Sequence, residues 1–150
     1  MRVVIQRVSS ATVRVGDRVT GSIGMGLLIL LGVEEGDSAS DGEWLSGKIC
    51  QMRIFSDEAG KMNRDLIQSG GQLLVVSQFT LHASARKGNR PSFIRAAQPT
   101  VAIQLYEEFV RCCEVLTGRP VHTGEFGAMM QVELVNDGPV TILLDSRREL

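Results

Sequence analysis

The sequence predicts an α+β fold, in which a mostly antiparallel β-sheet curls toward a barrel and packs against two helices. Three observations favour this class. Apolar and polar residues alternate near both ends of the chain, two runs at 27–33 (LLILLGV) and 73–76 (LLVV) suit strands covered on both faces, and two segments have helical spacing. No repeat, linker or low-complexity stretch interrupts the chain, so we expect a single domain over residues 1–150.

The strands are predicted from alternating polarity and from the turn residues between them. Gly16-Asp17, Gly60 and Gly70-Gly71 mark such turns. In chain order the predicted strands lie at 2–8, 11–15, 19–23, 27–33, 53–55 and 73–76, with two or three further strands after residue 121.

Two helices are predicted from apolar residues that recur every three or four positions. Ser38 or Ser40 caps the first helix, and the second starts after Pro99-Thr100 and ends at Gly118. The expected apolar faces are Trp44, Leu45, Ile49 and Met52 in the first helix and Ile103, Tyr106, Val110 and Cys113 in the second.

Near the C-terminus, two apolar runs at 131–135 (QVELV) and 140–144 (VTILL) flank the residues Asn136-Asp137-Gly138-Pro139. The pattern predicts a hairpin. The proline removes a backbone donor from the returning strand, and two interpretations of it stay open. It ends the turn, since proline is tolerated at a strand start, or Gly138-Pro139 is a working part that presents its carbonyls to a ligand.

Composition is that of a soluble globular protein, with 43% hydrophobic and 22% charged residues. The net charge of -1 does not indicate a nucleic-acid binder. The three cysteines lie in predicted helices, which suits a reducing compartment. The N-terminus does not resemble a signal peptide and no apolar stretch could span a bilayer, so we expect a cytoplasmic protein without a membrane partner.

Several kinds of chemistry have no support in the sequence. His82 and His122 are the only histidines, and no Cys or His pair has metal-ligand spacing, so we predict no metal site. Neither a P-loop nor a G-x-G-x-x-G between a strand and a helix is present, and we predict no cofactor. A G-x-S-x-G nucleophile elbow is also absent.

The most promising rim follows the second apolar strand, which delivers Ser77, Gln78, Phe79 and Thr80 to the edge of the sheet. Ser77 and Thr80 are candidate nucleophiles, and His82 is the nearest candidate base, two residues beyond Thr80. No acid in the local sequence orients the histidine. The alternative is that these hydroxyls satisfy backbone groups.

Two further features have a functional and a structural interpretation. The basic residues that follow the rim could bind phosphate or could keep a loop solvated; they are Arg86, Lys87, Arg90 and Arg95. Met129-Met130 could line a pocket or fill the core. From the residues alone, the chain is either a hydrolase of a phosphate-bearing or RNA-linked substrate or an oligomeric binding module without chemistry.

Three segments together resemble one known family. SQFTL at 77–81, NDGPVT at 136–141 and the opening MRVVIQRVSSATV are similar to the D-aminoacyl-tRNA deacylases, also called D-tyrosyl-tRNA deacylases. The likeness extends over essentially the whole chain, and neither motif departs from the family's pattern. The rival interpretation of a binding module predicts tRNA retention without ester cleavage.

The resemblance implies a homodimer with active sites at the subunit interface. Its substrates would be D-aminoacyl-tRNA and glycyl-tRNA, whose ester bond is hydrolysed, while L-aminoacyl-tRNA is rejected. Gly138 and Pro139 would be joined by a cis peptide and would act in the partner's pocket, and Arg7 would hold them in place. Ser77, Gln78, Phe79 and Thr80 would line the pocket with their main chain, and Met129 would lie beside the terminal adenine.

The same resemblance implies a mechanism without a strong side-chain base. The amide groups of Phe79 and Thr80 would stabilise the oxyanion, and the 2'-hydroxyl of the terminal adenosine would assist. The Thr80 hydroxyl as nucleophile is the second choice, since nothing in the sequence activates it. With such a substrate, the basic residues Arg86, Lys87 and Arg90 become candidates for contacts to tRNA phosphates.

Overall fold

The computed structural model describes all 150 residues and contains eight strands, three helices and one 3-10 turn at Phe79–His82. The helices are α1 (Ala39–Gln51), α2 (Leu66–Ser69) and α3 (Pro99–Thr117). The strands are β1 (Arg2–Val15), β2 (Arg18–Ile23), β3 (Gly26–Gly32), β4 (Phe55–Ser56), β5 (Met62–Arg64), β6 (Gln72–Ser77), β7 (His122–Thr123) and β8 (Gln131–Asp145).

The main sheet is built around the long strand β1. On one edge β1 pairs antiparallel with β2 and β3, and on the other edge it pairs antiparallel with β8. The sheet continues through parallel pairs from β3 to β6 and from β6 to β7. β2 and β7 approach each other where Gly21 meets Thr123, which nearly closes the sheet. The predicted α+β class with a mostly antiparallel, barrel-like sheet is confirmed.

β3 and β6 form the centre of the fold because both of their faces are covered. Leu27, Ile29 and Leu31 face the helices α1 and α3, whereas Leu28 packs inside the barrel with Leu74. Such burial on both faces requires a strand that is apolar at every position, which is the pattern that predicted these two strands.

Capping residues predicted the start of α1 and both ends of α3, although α3 begins at Pro99 and not after Thr100. α1 ends at Gln51, so Met52, predicted on its apolar face, lies outside the helix. Ser38 caps α1, Pro99 is at the first turn of α3, and Gly118 ends α3 in the left-handed conformation (φ 66°). The short helix α2 was not predicted as a separate element.

The apolar faces of both long helices differ from the prediction. Trp44 is 45% exposed, with the ammonium of Lys48 over its ring. In α3, Ile103 and Val110 are only partly buried. The buried residues are Gly42, Leu45, Ser46, Ile49 and Cys50 in α1, and Ala102, Tyr106, Phe109 and Cys113 in α3. In α1 the small residues Gly42 and Ser46 are buried while the large Trp44 is exposed, so the packed face of this helix is not set by side-chain size.

The predicted C-terminal hairpin is wrong, because β8 is one continuous strand whose two halves both pair with β1. Val8 pairs with Asn136 and Gln6 pairs with Thr141. Between these two pairs β1 has a single residue, Arg7, whereas β8 has four, residues 137–140. These four residues form a bulge opposite Arg7. Turn residues between apolar runs are common to hairpins and bulges, and only the length of β1 decides between them.

β1 is likewise one strand where two were predicted, because its pairing with β8 and β2 continues through Ser10 and Ala11. The three cysteines lie in α1 and α3 as predicted, and all are free thiols. None of the helices combines the length and the apolar character needed to cross a membrane.

Candidate active site

A pocket of about 340 Å³ opens at the carboxyl end of the parallel strands β3 and β6. Its lining is mostly apolar, and Ser77 and Gln78 stand at one side. The remaining lining residues are Leu31, Val33, Val76, Phe79, Ala97, Ala102, Tyr106, Phe126, Gly127, Ala128, Met129, Met130 and Val132. A concave apolar pocket with a few polar groups at its edge is the usual form of a small-molecule site.

The strand order places Ser77, Gln78 and Phe79 of the predicted rim in the pocket lining, whereas Thr80, which was also predicted to line the pocket, is not part of that lining. β6 ends at Ser77, the amide of Gln78 donates to the carbonyl of Leu31 (2.7 Å), and the chain then enters the 3-10 turn. The first amide groups of a helical turn have no acceptor within it. Those of Phe79 and Thr80 are at that position, and neither donates to a carbonyl of the neighbouring loops. Two backbone donors are therefore free at the edge of the pocket.

The side chain of Thr80 is exposed and has one polar neighbour. The side-chain Nε2 of Gln78 donates to the Thr80 hydroxyl oxygen. A hydroxyl oxygen that accepts a hydrogen bond has less electron density to offer an electrophile, and no base touches it. The contact suits a hydroxyl that donates rather than one that attacks.

His82 is not brought together with Thr80. A strand would point both side chains the same way, but these residues lie in a 3-10 turn, and His82 is only 1% exposed. Neither of its ring nitrogens has a hydrogen-bond partner. Burial lowers the pKa of His82 from its usual 6.5, which keeps the ring neutral. His82 is therefore a buried residue of the 3-10 turn and not a base for Thr80.

Tyr106 and Phe126 are pocket residues that the sequence did not reveal. The Tyr106 hydroxyl donates to the carbonyl of Val75 (2.9 Å), and burial raises the pKa of Tyr106 to about 12. The two rings are tilted against each other with centroids 5.8 Å apart. Tyr106 was predicted only as a core residue of a helix, and no local pattern links it to a residue twenty positions later.

The methionine pair lies at the pocket with two different environments. Met129 is 91% exposed at the mouth, whereas Met130 is half-buried in the lining. The structure therefore places the predicted Met129 at the site together with its neighbour.

Gly138 and Pro139 lie in the bulge of β8, where both are exposed and are joined by a cis peptide. Gly138 has φ +142°, and a Cβ there would lie 2.7 Å from the amide nitrogen of Val140. Few L side chains adopt that backbone conformation, so this position requires glycine.

Arg7 holds the bulge from below. Its Nε donates to the carbonyl of Asp137 (3.1 Å), and its Nη1 donates to the carbonyl of Ile54 (2.6 Å). The side-chain Nδ2 of Asn136 also donates to the backbone carbonyls of Arg7 (2.9 Å) and Val140 (3.0 Å), which closes the base of the bulge. The position of residues 137–139 is therefore set by side-chain hydrogen bonds.

Within one chain the bulge and the pocket are separate. Gly138 follows Val132, the last pocket residue on β8, by six positions, which is roughly 20 Å along a strand. Neither Gly138, Pro139 nor Arg7 lines the pocket. The two motif regions thus stand apart on one copy of the molecule.

The basic residues after the rim have different environments. Arg95 is held by the buried carboxylate of Glu34, to which its Nε donates (2.7 Å). Arg86, Lys87 and Arg90 are exposed on the loop 84–92, called here the basic loop. Arg95 therefore forms a structural ion pair with Glu34. Of the four basic residues considered for phosphate binding, the three on the basic loop have no such partner.

Comparison with known proteins decides the family. The sequence profile described as D-Tyr-tRNA(Tyr) deacylase matches residues 4–145. The chain belongs to this family. It is a family of hydrolases of the aminoacyl-tRNA ester bond, and the resemblance seen in the motifs is confirmed.

Relatives and solved structures agree over the whole length. A D-aminoacyl-tRNA deacylase of Cytophaga hutchinsonii is 60% identical and is covered to 99%, as is this chain. A solved structure titled c-Myc DNA Unwinding Element Binding Protein has a TM-score of 0.90 and 38% identity, with 97% of this chain and 98% of that chain covered. A probable eukaryotic D-amino acid tRNA deacylase, at 18% identity and TM-score 0.80 over 95% and 97% of the two chains, shares the fold.

Proposed function

We propose that this protein hydrolyses the ester of D-aminoacyl-tRNA, and of glycyl-tRNA mischarged on the tRNA for alanine, while it spares L-aminoacyl-tRNA. The observation that carries the proposal is the pair of free amide groups at Phe79 and Thr80 beside an apolar pocket. Such donors can bind the oxyanion that forms when water attacks an ester carbonyl. This hydrolysis is a proofreading step in translation, and we place the protein in the cytoplasm.

In this mechanism the pocket holds the terminal adenosine and the rim holds the ester. The rings of Tyr106 and Phe126 offer an apolar place for a base, with Met129 at the mouth. The main chain of Ser77 and Gln78 lines the side on which the ester lies. Fixing an already reactive ester against two donors accounts for much of the acceleration without a strong base.

Proton transfer is assigned to the substrate in this proposal. The vicinal 2'-hydroxyl of the adenosine lies next to the ester by its own covalent geometry and can assist the attacking water. Thr80 is the second candidate, but its hydroxyl accepts from Gln78, and His82 is buried away from it. We therefore assign catalysis to the backbone of Phe79 and Thr80.

The second motif acts across a dimer in this proposal. The bulge is exposed and roughly 20 Å along β8 from its own pocket, so its carbonyls would reach a pocket only on a second copy. Val135 (57% exposed) and Leu143 (51% exposed) flank the bulge on β8. Exposed apolar residues beside a built feature support an interface between two copies of the chain.

Chiral selection follows from the direction in which the bulge would enter the pocket. The carbonyls of Gly138 and Pro139 would accept hydrogen bonds from the substrate ammonium. With ammonium and ester both fixed, a D side chain points outward, whereas an L side chain strikes the Gly138-Pro139 backbone. Glycine has only hydrogen there and passes. Selection by exclusion needs no contact with a particular D side chain.

The deciding experiment incubates the protein with D-tyrosyl-tRNA, L-tyrosyl-tRNA and glycyl-tRNA charged on the tRNA for alanine. We expect release of D-tyrosine and glycine and no loss of the L-ester. Equal hydrolysis of both tyrosyl esters would contradict the filter. Retention of tRNA with no cleavage at any chirality would instead favour a binding module.

A further inference from the structure

The free cations of the molecule are concentrated beside the pocket. Most basic side chains have a partner, which is a carboxylate, a carbonyl oxygen or, for Lys48, the ring of Trp44. The six without such a partner are Arg53, Lys61, Arg86, Lys87, Arg90 and Arg111. Three of the six thus lie within five residues of one loop, although the net charge is only -1.

The basic loop is a small projecting hairpin. The amide of Ser84 donates to the carbonyl of Ser92 (2.8 Å), and the amide of Ser92 donates back (2.9 Å). Beyond this pair the chain runs four residues out to Gly88, whose φ of +74° makes the tip. Four residues span at most about 13 Å, so the cations stand close to the point where the hairpin leaves the molecule.

Two aromatic rings lie between this loop and the pocket. Phe93 directly follows the hairpin and packs edge-on against Phe79, with centroids 5.2 Å apart and planes at 71°. Phe79 is 57% exposed and Phe93 is 38% exposed. Phe79 lines the pocket, whereas Phe93 stands outside it. The two rings are in contact, and contiguous exposed apolar groups, unlike single ones, mark interaction sites.

We propose that Phe93, held by Phe79, is a stacking platform for the single-stranded nucleotides that precede the terminal adenosine, and that the basic loop holds their phosphates. The inference rests on the proposed function, because the adenosine in the pocket sets where the preceding nucleotides lie. Single-stranded RNA is recognised by aromatic rings that stack on its bases together with cations along its backbone. This surface offers both, in the right order outward from the pocket.

The test compares two substrates that carry the same ester and differ in whether nucleotides precede the terminal adenosine. D-Tyrosyl-tRNA carries the preceding nucleotides, and D-tyrosyl-adenosine lacks them. Phe93→Leu keeps an apolar contact to Phe79 but removes the ring face. We expect KM for D-tyrosyl-tRNA to rise about tenfold with kcat unchanged, as loss of one base stack predicts. Cleavage of D-tyrosyl-adenosine should not change.

Matched variants separate stacking from other roles. Phe93→Trp should restore KM, and Ile94→Ala, at the 88% exposed neighbour, should alter neither substrate. Replacing Arg86, Lys87 and Arg90 with Gln should make the slope of log Kobs for tRNA binding against log salt concentration shallower by about 2, because each lost charge contributes about 0.7. The same change at Arg53, Lys61 and Arg111 should leave that slope unchanged.

The outcomes distinguish the inference from the function beneath it. If Phe93→Leu impairs both substrates equally, or changes the oligomeric state, the ring is a pocket wall or a subunit contact and the platform is refuted. If the unmodified protein cleaves neither D-ester, the proposed function fails and the platform falls with it. Cleavage of both esters with no tRNA-specific loss in Phe93→Leu refutes the platform alone.

Discussion

The guanidinium of Arg7 donates to the carbonyl of Asp137 at 3.1 Å and at the same time to the carbonyl of Ile54 at 2.6 Å. One side chain, 12% exposed, thereby joins the bulge of β8 to the segment after α1. Two donors set at a fixed angle are a property of arginine that lysine lacks. The position of Gly138-Pro139 consequently depends on a residue that lies outside the pocket.

Arg7→Lys should displace the bulge. Lysine can keep one of the two hydrogen bonds, and the loss of a charged one costs about 1.5 to 3 kcal/mol. We expect at least a tenfold fall in D-tyrosyl-tRNA deacylation, measured by single-turnover release of tyrosine. Arg14→Lys is the matched control, since Arg14 pairs with Glu133 on the same two strands at an exposed site. An equal loss in both variants would show that the effect is general.

Gly138→Ala should weaken the discrimination between D- and L-tyrosyl-tRNA. The new Cβ would lie 2.7 Å from the amide nitrogen of Val140, so the backbone of the bulge must move. The ratio of kcat/KM for the two esters is the measurement. Gly47→Ala in α1, where a Cβ meets nothing within 4 Å, is the control and should keep the ratio. An unchanged ratio in Gly138→Ala would argue against the filter.

Thr80→Ala should keep substantial activity, because the catalytic groups assigned at this position are amide groups of the main chain. A substrate ending in 2'-deoxyadenosine should lose most of its reactivity. Both rates are read from the same deacylation assay. The reverse pattern would make the Thr80 hydroxyl the nucleophile.

Leu143→Arg should favour the monomer. Leu143 is 51% exposed beside the bulge, and a charge there cannot be buried between two copies without a partner. We expect a smaller mass by light scattering, together with loss of chiral discrimination, although the pocket itself is untouched. Val115→Arg, at a 79% exposed position on α3, should change neither property. A Leu143→Arg protein of unchanged mass would place the interface elsewhere.

His82 should make stability depend on pH near neutrality. Burial lowers its pKa in the folded protein, so the unfolded chain binds the proton first as pH falls below 6.5. Folding stability should therefore fall between 6.5 and the lower folded pKa and should be independent of His82 above that range. Urea unfolding between pH about 5 and about 8 measures the slope. His82→Leu should flatten it, and an unchanged slope would assign it to other groups.

Much of the fold could be read from single residues and local patterns. The strands at 27–33 and 73–76 were predictable because burial on both faces demands an apolar residue at every position. Ser38, Pro99 and Gly118 marked helix ends because capping is decided by neighbouring backbone groups. The helix faces were less accurate: Trp44 is exposed, because packing depends on the surface opposite and not on size alone.

The residues of the candidate site were likewise predicted only in part. The segment 77–80 and the residues Gly138-Pro139 were found from the sequence as motifs. The pocket roles of Tyr106 and Phe126 and the contact of Arg7 with Ile54 were beyond it, since those contacts join elements far apart in the chain.

The sequence by itself thus determined the class of fold, the buried strands, the helix ends and the family, because these depend on local chemistry or on motifs. Only the tertiary structure decided that residues 137–140 form a bulge and not a hairpin turn, since the answer depends on which strand lies alongside. It also decided that the amides of Phe79 and Thr80 are free, because a hydrogen bond is absent only when every nearby carbonyl has been placed.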